Sequence, residues 1–135
     1  MKDEQLLRYS RQIMLPEVDI AGQQKLIDAT VLIVGMGGLG CPAAMYLVAA
    51  GVGHLVIADD GVVELTNLQR QVAHSQSMIG EPKVVSAQQT LLGLNPDLKI
   101  TALQMRLEGA NLSEAVSQAD LVVDDVDADE LHVDV

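Results

Sequence analysis

Four glycines and one carboxylate are the first residues whose types and spacing suggest chemistry. Residues 35–40 read GMGGLG, which fits the pattern G-x-G-x-x-G, and they follow a β-branched apolar run. In a strand-to-helix loop of this kind, Gly35 permits a tight turn, Gly37 lets the backbone approach a phosphate, and Gly40 lets the helix pack on the sheet. Asp59 follows 19 residues after Gly40, where a carboxylate accepts hydrogen bonds from ribose hydroxyls. These residues predict a nucleotide site that suits NAD and ATP equally.

Two isolated cations distinguish the two nucleotides. Arg70 lies in the polar segment 66–71, which follows the second apolar run, and Lys83 opens the next helix-like stretch. Both cations are expected on the side of the sheet where bound phosphates would lie. An enzyme that cleaves ATP needs fixed positive groups to neutralise the polyphosphate in the transition state, whereas a dinucleotide-binding domain has no use for them. Their placement favours ATP.

Strand-like and helix-like segments alternate along the chain. Buried strands are predicted at Thr30–Val34, His54–Ala58, Lys99–Leu103 and Leu121–Val123, because these runs are short, apolar and rich in β-branched residues. Helices are predicted at Asp3–Leu7, Ile20–Ile27, Cys41–Ala50 and Lys83–Leu94, with a further helix that Asn111 caps and that runs to about Ser117. Alternation of this kind predicts an α/β fold with a Rossmann-like, doubly wound and mainly parallel sheet, preceded by N-terminal helices.

Composition limits the partners. The chain has 135 residues, 49% of them hydrophobic, which is enough for one domain with a core. A net charge of −11, with no Trp and no Phe, argues against nucleic acid as a partner. No apolar run approaches the roughly 20 residues needed to span a bilayer and no signal peptide is visible, so we expect a cytoplasmic protein without a membrane partner. Cys41 is the single cysteine, and we interpret it as a small packing residue. His54 and His74 are interpreted as structural or surface residues.

Five motifs in register resemble one family. They are residues 8–13 (RYSRQI), the glycine loop, residues 67–71 (NLQRQ), residues 81–83 (EPK) and residues 94–96 (LNP). Their order and spacing resemble those of the ThiF/MoeB/HesA adenylyltransferases, which are relatives of the ubiquitin-activating enzymes. The similarity extends over about Asp3 to Asp127 and is strongest to the thiamine-pathway branch of that family.

The resemblance implies a role for each matching residue. Gly38 would lie against the nucleotide, and Asp59 would hold its ribose. Asp127 resembles the aspartate that handles Mg2+ near the reacting phosphate, and Arg11 resembles the arginine that reaches the triphosphate of the opposite subunit in a homodimer. The remaining matches would contact the phosphates or complete the ATP site: Asn67, Gln69, Arg70 and Lys83.

The end of the chain departs from the family pattern. The family reads Asp-Cys-Thr-Asp-Asn where this chain reads DDVDA at residues 124–128, so no Asn follows Asp127. We therefore expect an ATP-binding domain over residues 1–127 and a divergent acidic tail over residues 128–135. The two C-x-x-C pairs that hold zinc in full-length relatives are absent, as is the half that receives the carrier protein. The chain is interpreted as truncated on its C-terminal side.

The resemblance implies that ATP and Mg2+ are used to activate the C-terminal glycine carboxylate of a ubiquitin-like sulfur-carrier protein. That carrier would be ThiS-like in thiazole formation, or MoaD-like in the molybdopterin branch. We expect this truncated chain to be inactive alone. Two alternatives stay open, a non-catalytic nucleotide-binding or dimerisation module and, less favoured, an NAD-dependent oxidoreductase. Tight binding of NAD without ATP would favour the oxidoreductase.

Overall fold

The computed structural model describes residues 1–65, Leu68 and residues 74–124. Within this part, three helices open the chain and four strands then alternate with three helices. The helices are α1 (Asp3–Arg8), α2 (Ser10–Ile13), α3 (Asp19–Asp28), α4 (Gly40–Ala50), α5 (Lys83–Leu94) and α6 (Gly109–Ser117). The strands are β1 (Thr30–Val34), β2 (His54–Ala58), β3 (Lys99–Leu103) and β4 (Leu121–Asp124).

The four strands form one sheet in the order β3-β2-β1-β4, and every neighbouring pair is parallel. The chain moves outward from β1 to β2 and β3, and then crosses back to place β4 on the other side of β1. The order of the strands therefore reverses between β1 and β4. In open α/β sheets, ligands bind beyond the carboxyl ends of the strands at such a reversal.

Each face of the sheet carries its own apolar layer because strand side chains alternate between faces. Val31 and Ile33 of β1 point into the larger core, which they share with residues of α4 and α5. Leu32 points to the opposite face, where partly buried residues of α6 pack. Helices thus cover both faces, and the doubly wound, mainly parallel fold predicted from the sequence is confirmed.

Most helix and strand ends lie within one residue of the prediction, but two helices differ further. α6 begins at Gly109, and Glu108 precedes it with no side-chain hydrogen bond to the first turn. Asn111 is therefore inside the helix, and the prediction that it caps α6 is wrong; Gly109 begins the helix with a φ of 59°, a conformation that glycine adopts without strain. The short helix α2 was not predicted, because its four residues carry no local capping signal.

Candidate nucleotide-binding site

The glycine loop continues β1 and leads directly into α4. The Gly35 N–H donates to the carbonyl of Ala58 at 2.7 Å, which ties the loop to the end of β2. Gly35 has a φ of 95°, so the chain turns there in the left-handed region. The Cys41 N–H donates to the carbonyl of Gly37 at 3.1 Å, which forms the first turn of α4 out of the loop itself. The positive end of the α4 dipole is thereby directed at the loop.

Asp59 joins this loop to the turn that follows β2. Its Oδ2 accepts the Met36 N–H at 2.7 Å, and its Oδ1 accepts the Gly61 N–H at 2.7 Å. Hydrogen bonds to an ionised carboxylate are stronger than neutral ones, so Asp59 holds two backbone segments at once. Each oxygen keeps a further lone pair, which is what a ribose hydroxyl would use.

Lys83 reaches the same corner of the molecule. Its N–H donates to the carbonyl of Gly61 at 3.0 Å. A methyl group placed on Gly61 would lie 3.5 Å from Lys83 Cε and 3.0 Å from Asp59 Oδ1. The lysine side chain therefore runs past Gly61 beside Asp59. The structure brings together a cation and a carboxylate that are 24 positions apart in the sequence.

A crevice of about 310 Å³ opens beyond the carboxyl ends of β1, β2 and β4. Its charged lining is formed by three carboxylates and Arg106, which is itself 3.8 Å from the exposed carboxylate of Glu108. The lining as a whole comprises Val34, Gly35, Ala58, Asp59, Asp60, Met105, Arg106, Leu107, Leu112 and Asp124. Arg106 and Asp124 are not among the predicted site residues, although both follow the ends of predicted strands.

A buried polar cluster lies behind the glycine loop. His74 Nε2 is 2.9 Å from the carbonyl oxygen of Met36, and His74 Nδ1 is 2.9 Å from Ser86 Oγ. The Cys41 thiol lies 3.2 Å from the same Met36 oxygen. Burial lowers the pKa of His74, with a smaller lowering from the charge of Lys83. Sequence reasoning gave His74 a structural or surface role; the residue is buried, and nothing in its local sequence indicated this cluster.

The two terminal motifs of the family resemblance form a second network. Asn95 donates to the Tyr9 hydroxyl at 2.9 Å, and Arg8 donates to the carbonyl of Leu94 at 3.2 Å. The Gln12 amide donates to Gln23 Oε1 at 2.8 Å and to the Ala50 carbonyl at 2.9 Å. These contacts attach α1 and α2 to the ends of α4 and α5. They hold in place the helix that carries Arg11.

The structure places the predicted site residues in three groups. Gly35, Gly37, Gly38, Gly40, Asp59 and Lys83 come together around the glycine loop and the end of β2. Arg11 is exposed on α2 and is not part of the crevice lining. The predictions for Asn67, Gln69, Arg70 and Asp127 fall outside the described residues, as does the boundary between residues 127 and 128.

A larger cavity, of about 410 Å³, lies beneath α6 on the face of the sheet to which Leu32 points. His54 lines it and is 2.9 Å from Thr101 Oγ1 and 3.4 Å from Thr30 Oγ1. Burial lowers the pKa of His54, and the nearby charge of Lys99 lowers it further. This cavity contains neither the glycine loop nor Asp59, so its greater size does not make it the nucleotide site.

No group of three or more His, Cys, Asp or Glu side chains in residues 1–65, 68 and 74–124 is arranged to hold a metal ion. In the same part of the chain, no helix combines the length and the apolar character needed to cross a membrane.

The parallel sheet, the glycine loop and the carboxylate at the end of β2 define a Rossmann-like α/β domain with a crevice at the reversal of its strand order. A match to a sequence family identifies the class of protein more narrowly than the fold does. The sequence profile of the ThiF family matches residues 9–135, and the chain belongs to the ThiF family. The resemblance identified from the five motifs is confirmed.

The chain is similar to two adenylyltransferases and to a SAMP-activating enzyme. The chain is 54% identical over 127 residues to the sulfur carrier protein ThiS adenylyltransferase of Escherichia coli, which covers 94% of this chain and 51% of that protein. It is 47% identical over 127 residues to the molybdopterin-synthase adenylyltransferase of the same organism, again with 94% and 51% covered. The SAMP-activating enzyme E1 of Haloferax volcanii is 49% identical over 120 residues, with 89% of this chain and 44% of that protein covered. The chain spans about half the length of these relatives.

Solved structures of similar fold include nucleotide complexes. The E. coli tRNA N6-threonylcarbamoyladenosine dehydratase TcdA in complex with ATP superposes with a TM-score of 0.86 at 25% identity, covering 94% of this chain and 52% of that chain. Its complex with AMP gives the same TM-score and identity, with 94% and 51% covered.

Proposed function

We propose that this chain is the nucleotide-binding domain of an ATP-dependent adenylyltransferase. The enzyme would activate the C-terminal glycine carboxylate of a ubiquitin-like sulfur-carrier protein. We further propose a ThiS-like carrier, because identity to the ThiS adenylyltransferase is 54% against 47% for the molybdopterin-synthase enzyme. The reaction would then belong to the formation of the thiamine thiazole, and we propose that it takes place in the cytoplasm.

One observation carries the proposal. Gly35 of the glycine loop and Asp59 line the crevice beyond β1 and β2, and Lys83 runs beside Asp59 from the start of α5. An NAD-binding domain would need the loop and the carboxylate but not the lysine. The lysine, together with the ATP and AMP complexes of a fold relative, supports ATP.

The residues present suit an adenine nucleotide. Gly35 turns in a conformation reserved for glycine, α4 directs the positive end of its dipole at the loop, and Asp59 keeps acceptor capacity for a ribose. The proposed phosphate contacts of Asn67, Gln69 and Arg70 and the Mg2+ contact of Asp127 rest on the family resemblance. When bound, Mg2+ would offset the repulsion between the triphosphate and the crevice carboxylates Asp60 and Asp124.

The reaction needs little chemistry from side chains. An oxygen of the carrier carboxylate attacks the α-phosphorus of ATP, a new O–P bond forms, the bond between the α-phosphorus and its bridging oxygen breaks, and pyrophosphate leaves. A terminal carboxyl with an ordinary pKa of about 3.5 is already ionised at pH 7, so no general base is required. The work of the protein is to orient the two reactants and to neutralise charge, which fits a site composed of Gly, Asp, Asn, Arg and Lys.

A second candidate is a nucleotide-binding or dimerisation module without catalysis. The chain spans about half the length of the ThiS adenylyltransferase and of the molybdopterin-synthase adenylyltransferase. A binding site can persist on a fold after its chemistry is lost. Binding and catalysis must therefore be measured separately.

The test measures both with the 135-residue chain and with a version extended by a family C-terminal half. Calorimetry with ATP should detect binding by both proteins. ATP–pyrophosphate exchange in the presence of a ThiS-like carrier should occur with the extended version and be negligible with the 135-residue chain, because the carrier tail must be held about 3 Å from the α-phosphorus. Failure of both proteins to bind ATP would refute the proposed function, and binding without exchange in either protein would favour the non-catalytic module.

A further inference from the structure

We propose that His74 is a positioning residue for the glycine loop. The Nε2–H of His74 donates to the Met36 carbonyl and so fixes the peptide that precedes Gly37. The inference rests on the proposed function in one respect, because a nucleotide is the probe of the loop. It assigns to His74 a role that no motif in the sequence indicated.

The hydrogen bonds around His74 determine which nitrogen carries its proton. A carbonyl oxygen can only accept, so the 2.9 Å contact between Nε2 and Met36 O requires the proton on Nε2. In the neutral ring Nδ1 then accepts, and the Ser86 hydroxyl, 2.9 Å away, donates to it. Ser86 lies on α5, so this helix orients the imidazole that in turn holds the loop.

Two consecutive peptides of the loop are fixed from two sides. The Met36 N–H belongs to the peptide after Gly35, and Asp59 holds it at 2.7 Å. The Met36 carbonyl belongs to the next peptide, and His74 holds it. Because a trans peptide is planar, the direction of that carbonyl sets the opposite direction of the Gly37 N–H. His74 therefore orients the backbone of the loop at the residue where it would approach a phosphate.

Burial keeps water away from the hydrogen bond between His74 and the Met36 carbonyl. His74 is 6% exposed, Ser86 1% and Cys41 0%, so water has little access to replace a lost partner of the Met36 carbonyl. The Cys41 thiol, at 3.2 Å, is a weaker donor to the same oxygen. Among the described residues, the Cys41 thiol would be the donor left to this oxygen without the imidazole, and the loop peptide would lose the stronger of these two hydrogen bonds.

Burial of His74 favours the neutral form of its ring. Burial lowers the pKa of His74, the hydrogen bond to Met36 raises it, the charge of Lys83 lowers it and that of Asp59 raises it. The lowering dominates, so the imidazole is neutral at pH 7. A neutral ring with its proton on Nε2 is the form that the hydrogen bonds require.

Two substitutions separate the hydrogen bond from the space that the ring fills. His74→Gln carries an amide N–H2 at a reach close to that of Nε2 and can still donate to Met36, whereas His74→Leu fills the space without a donor. We expect His74→Leu to raise the Kd of both ATP and AMP about tenfold, because the whole loop is affected, and His74→Gln to stay within about threefold of the wild-type chain. His54→Leu is the matched control, since both ring nitrogens of His54 also have hydrogen-bond partners but the residue lines the cavity beneath α6 and lies apart from the glycine loop; it should leave both Kd values unchanged.

Nitrogen-15 NMR of the imidazole shows which ring nitrogen carries the proton, and this position would not matter if His74 only filled space. The wild-type spectrum should show a protonated Nε2 and an unprotonated Nδ1 for His74 at pH 7, and Ser86→Ala should weaken this preference. His74→Leu should also shift the amide resonances of Gly37 and Gly38. A folded His74→Leu protein with wild-type Kd values, or a His74 proton on Nδ1, would overturn the inference.

The two proposals fail in different ways. If the wild-type chain bound neither ATP nor AMP, the proposed function would fail, while the proton position on His74 and the Gly37 amide shift would still decide the positioning role. If His74→Leu did not fold, His74→Gln and Ser86→Ala would decide it, because the first should retain the Gly37 resonance position and the second should alter the His74 signals. Absence of either effect would contradict the proposal.

Discussion

Asp59 combines a structural task with the proposed ligand contact in one side chain. Its two oxygens hold the Met36 and Gly61 amides at 2.7 Å each, so the carboxylate is oriented before any nucleotide arrives. Preorganisation of this kind lowers the cost of binding because few groups have to be ordered on association. The carboxylate that would contact the ribose is thus also the residue that shapes the glycine loop.

Lys83→Ala should weaken the binding of ATP far more than that of AMP. The proposed partners of Lys83 are the β- and γ-phosphates, and loss of a charged hydrogen bond costs about 1.5–3 kcal/mol, or about 10- to 100-fold in Kd. AMP lacks these phosphates, so its Kd should change less than about threefold. Calorimetric titration with both nucleotides measures the difference, and Arg70→Ala should behave in the same way.

Lys99→Ala is the control for net charge. It removes the same charge from an exposed position at the start of β3, at the edge of the sheet opposite the carboxyl ends of the strands. Its effect on the Kd of ATP should be slight. Equal losses of ATP and AMP affinity in Lys83→Ala would place the lysine away from the polyphosphate and contradict its assignment.

Sequence reasoning found the residues of the site that local pattern defines and missed those that only folding brings together. The glycine loop and Asp59 follow predicted strands at a typical spacing, so both could be identified from the sequence. His74 and Ser86 lie 38 and 50 residues beyond Met36, and no local pattern links them to the loop. Their contact exists because α4 and α5 pack on the same face of the sheet.

Among the elements, the strands were the most predictable. Three of the four have the predicted bounds, because buried parallel strands are short, continuous β-branched runs that few other structures accommodate. α2 was missed because contacts distant in sequence stabilise it; Gln12 bonds Gln23 and the end of α4. The start of α6 was placed three residues too late because Asn111 looked like a cap, whereas the helix begins at Gly109 without a side-chain cap.

The end of α4 provides a stability test. Gly51 has a φ of 108°, and a methyl group there would meet the Gln23 amide and lie 3.0 Å from the Tyr9 ring. Gly51→Ala should therefore combine left-handed strain of about 1–2 kcal/mol with displacement of the side chains that attach the N-terminal helices. We expect a total loss of about 3 kcal/mol or more in the free energy of unfolding, measured by urea denaturation.

Two other glycines separate these contributions. Gly80 has a φ of 90° with nothing within 4 Å of the added methyl group, so Gly80→Ala should show the strain alone. Gly93 lies in α5 with ordinary backbone geometry and open space, so Gly93→Ala should be neutral or stabilise by up to about 1 kcal/mol. If Gly51→Ala cost no more than Gly80→Ala, the packing of Gln23 and Tyr9 against the helix end would not contribute as inferred.

At the scale of the whole molecule, two groups of exposed apolar side chains lie beside features that the proposed assembly uses. Leu7 on α1 and Met14, which follows α2, are 77% and 82% exposed and lie on either side of Arg11 in the sequence. Leu121 and Val122 are exposed on β4, which in the described part of the chain pairs with β1 alone. Exposed apolar side chains near one another are a feature of interaction surfaces, and both regions support the proposed assembly of a larger enzyme.

The chain should form a homodimer in which Arg11 of one subunit serves the nucleotide of the other. Arg11 is exposed on α2, and the family resemblance implies that this arginine reaches the triphosphate of the neighbouring subunit. Sedimentation should give a dimer. In the extended two-half background, Arg11→Ala and Lys83→Ala subunits should each be inactive alone in ATP–pyrophosphate exchange. When the two are mixed in equal amounts, half of the dimers combine one subunit of each kind and contain one site with both Arg11 and Lys83, so exchange should recover to about a quarter of the wild-type rate. A mixture that forms mixed dimers without recovery would show that Arg11 acts within its own subunit or has no part in the reaction.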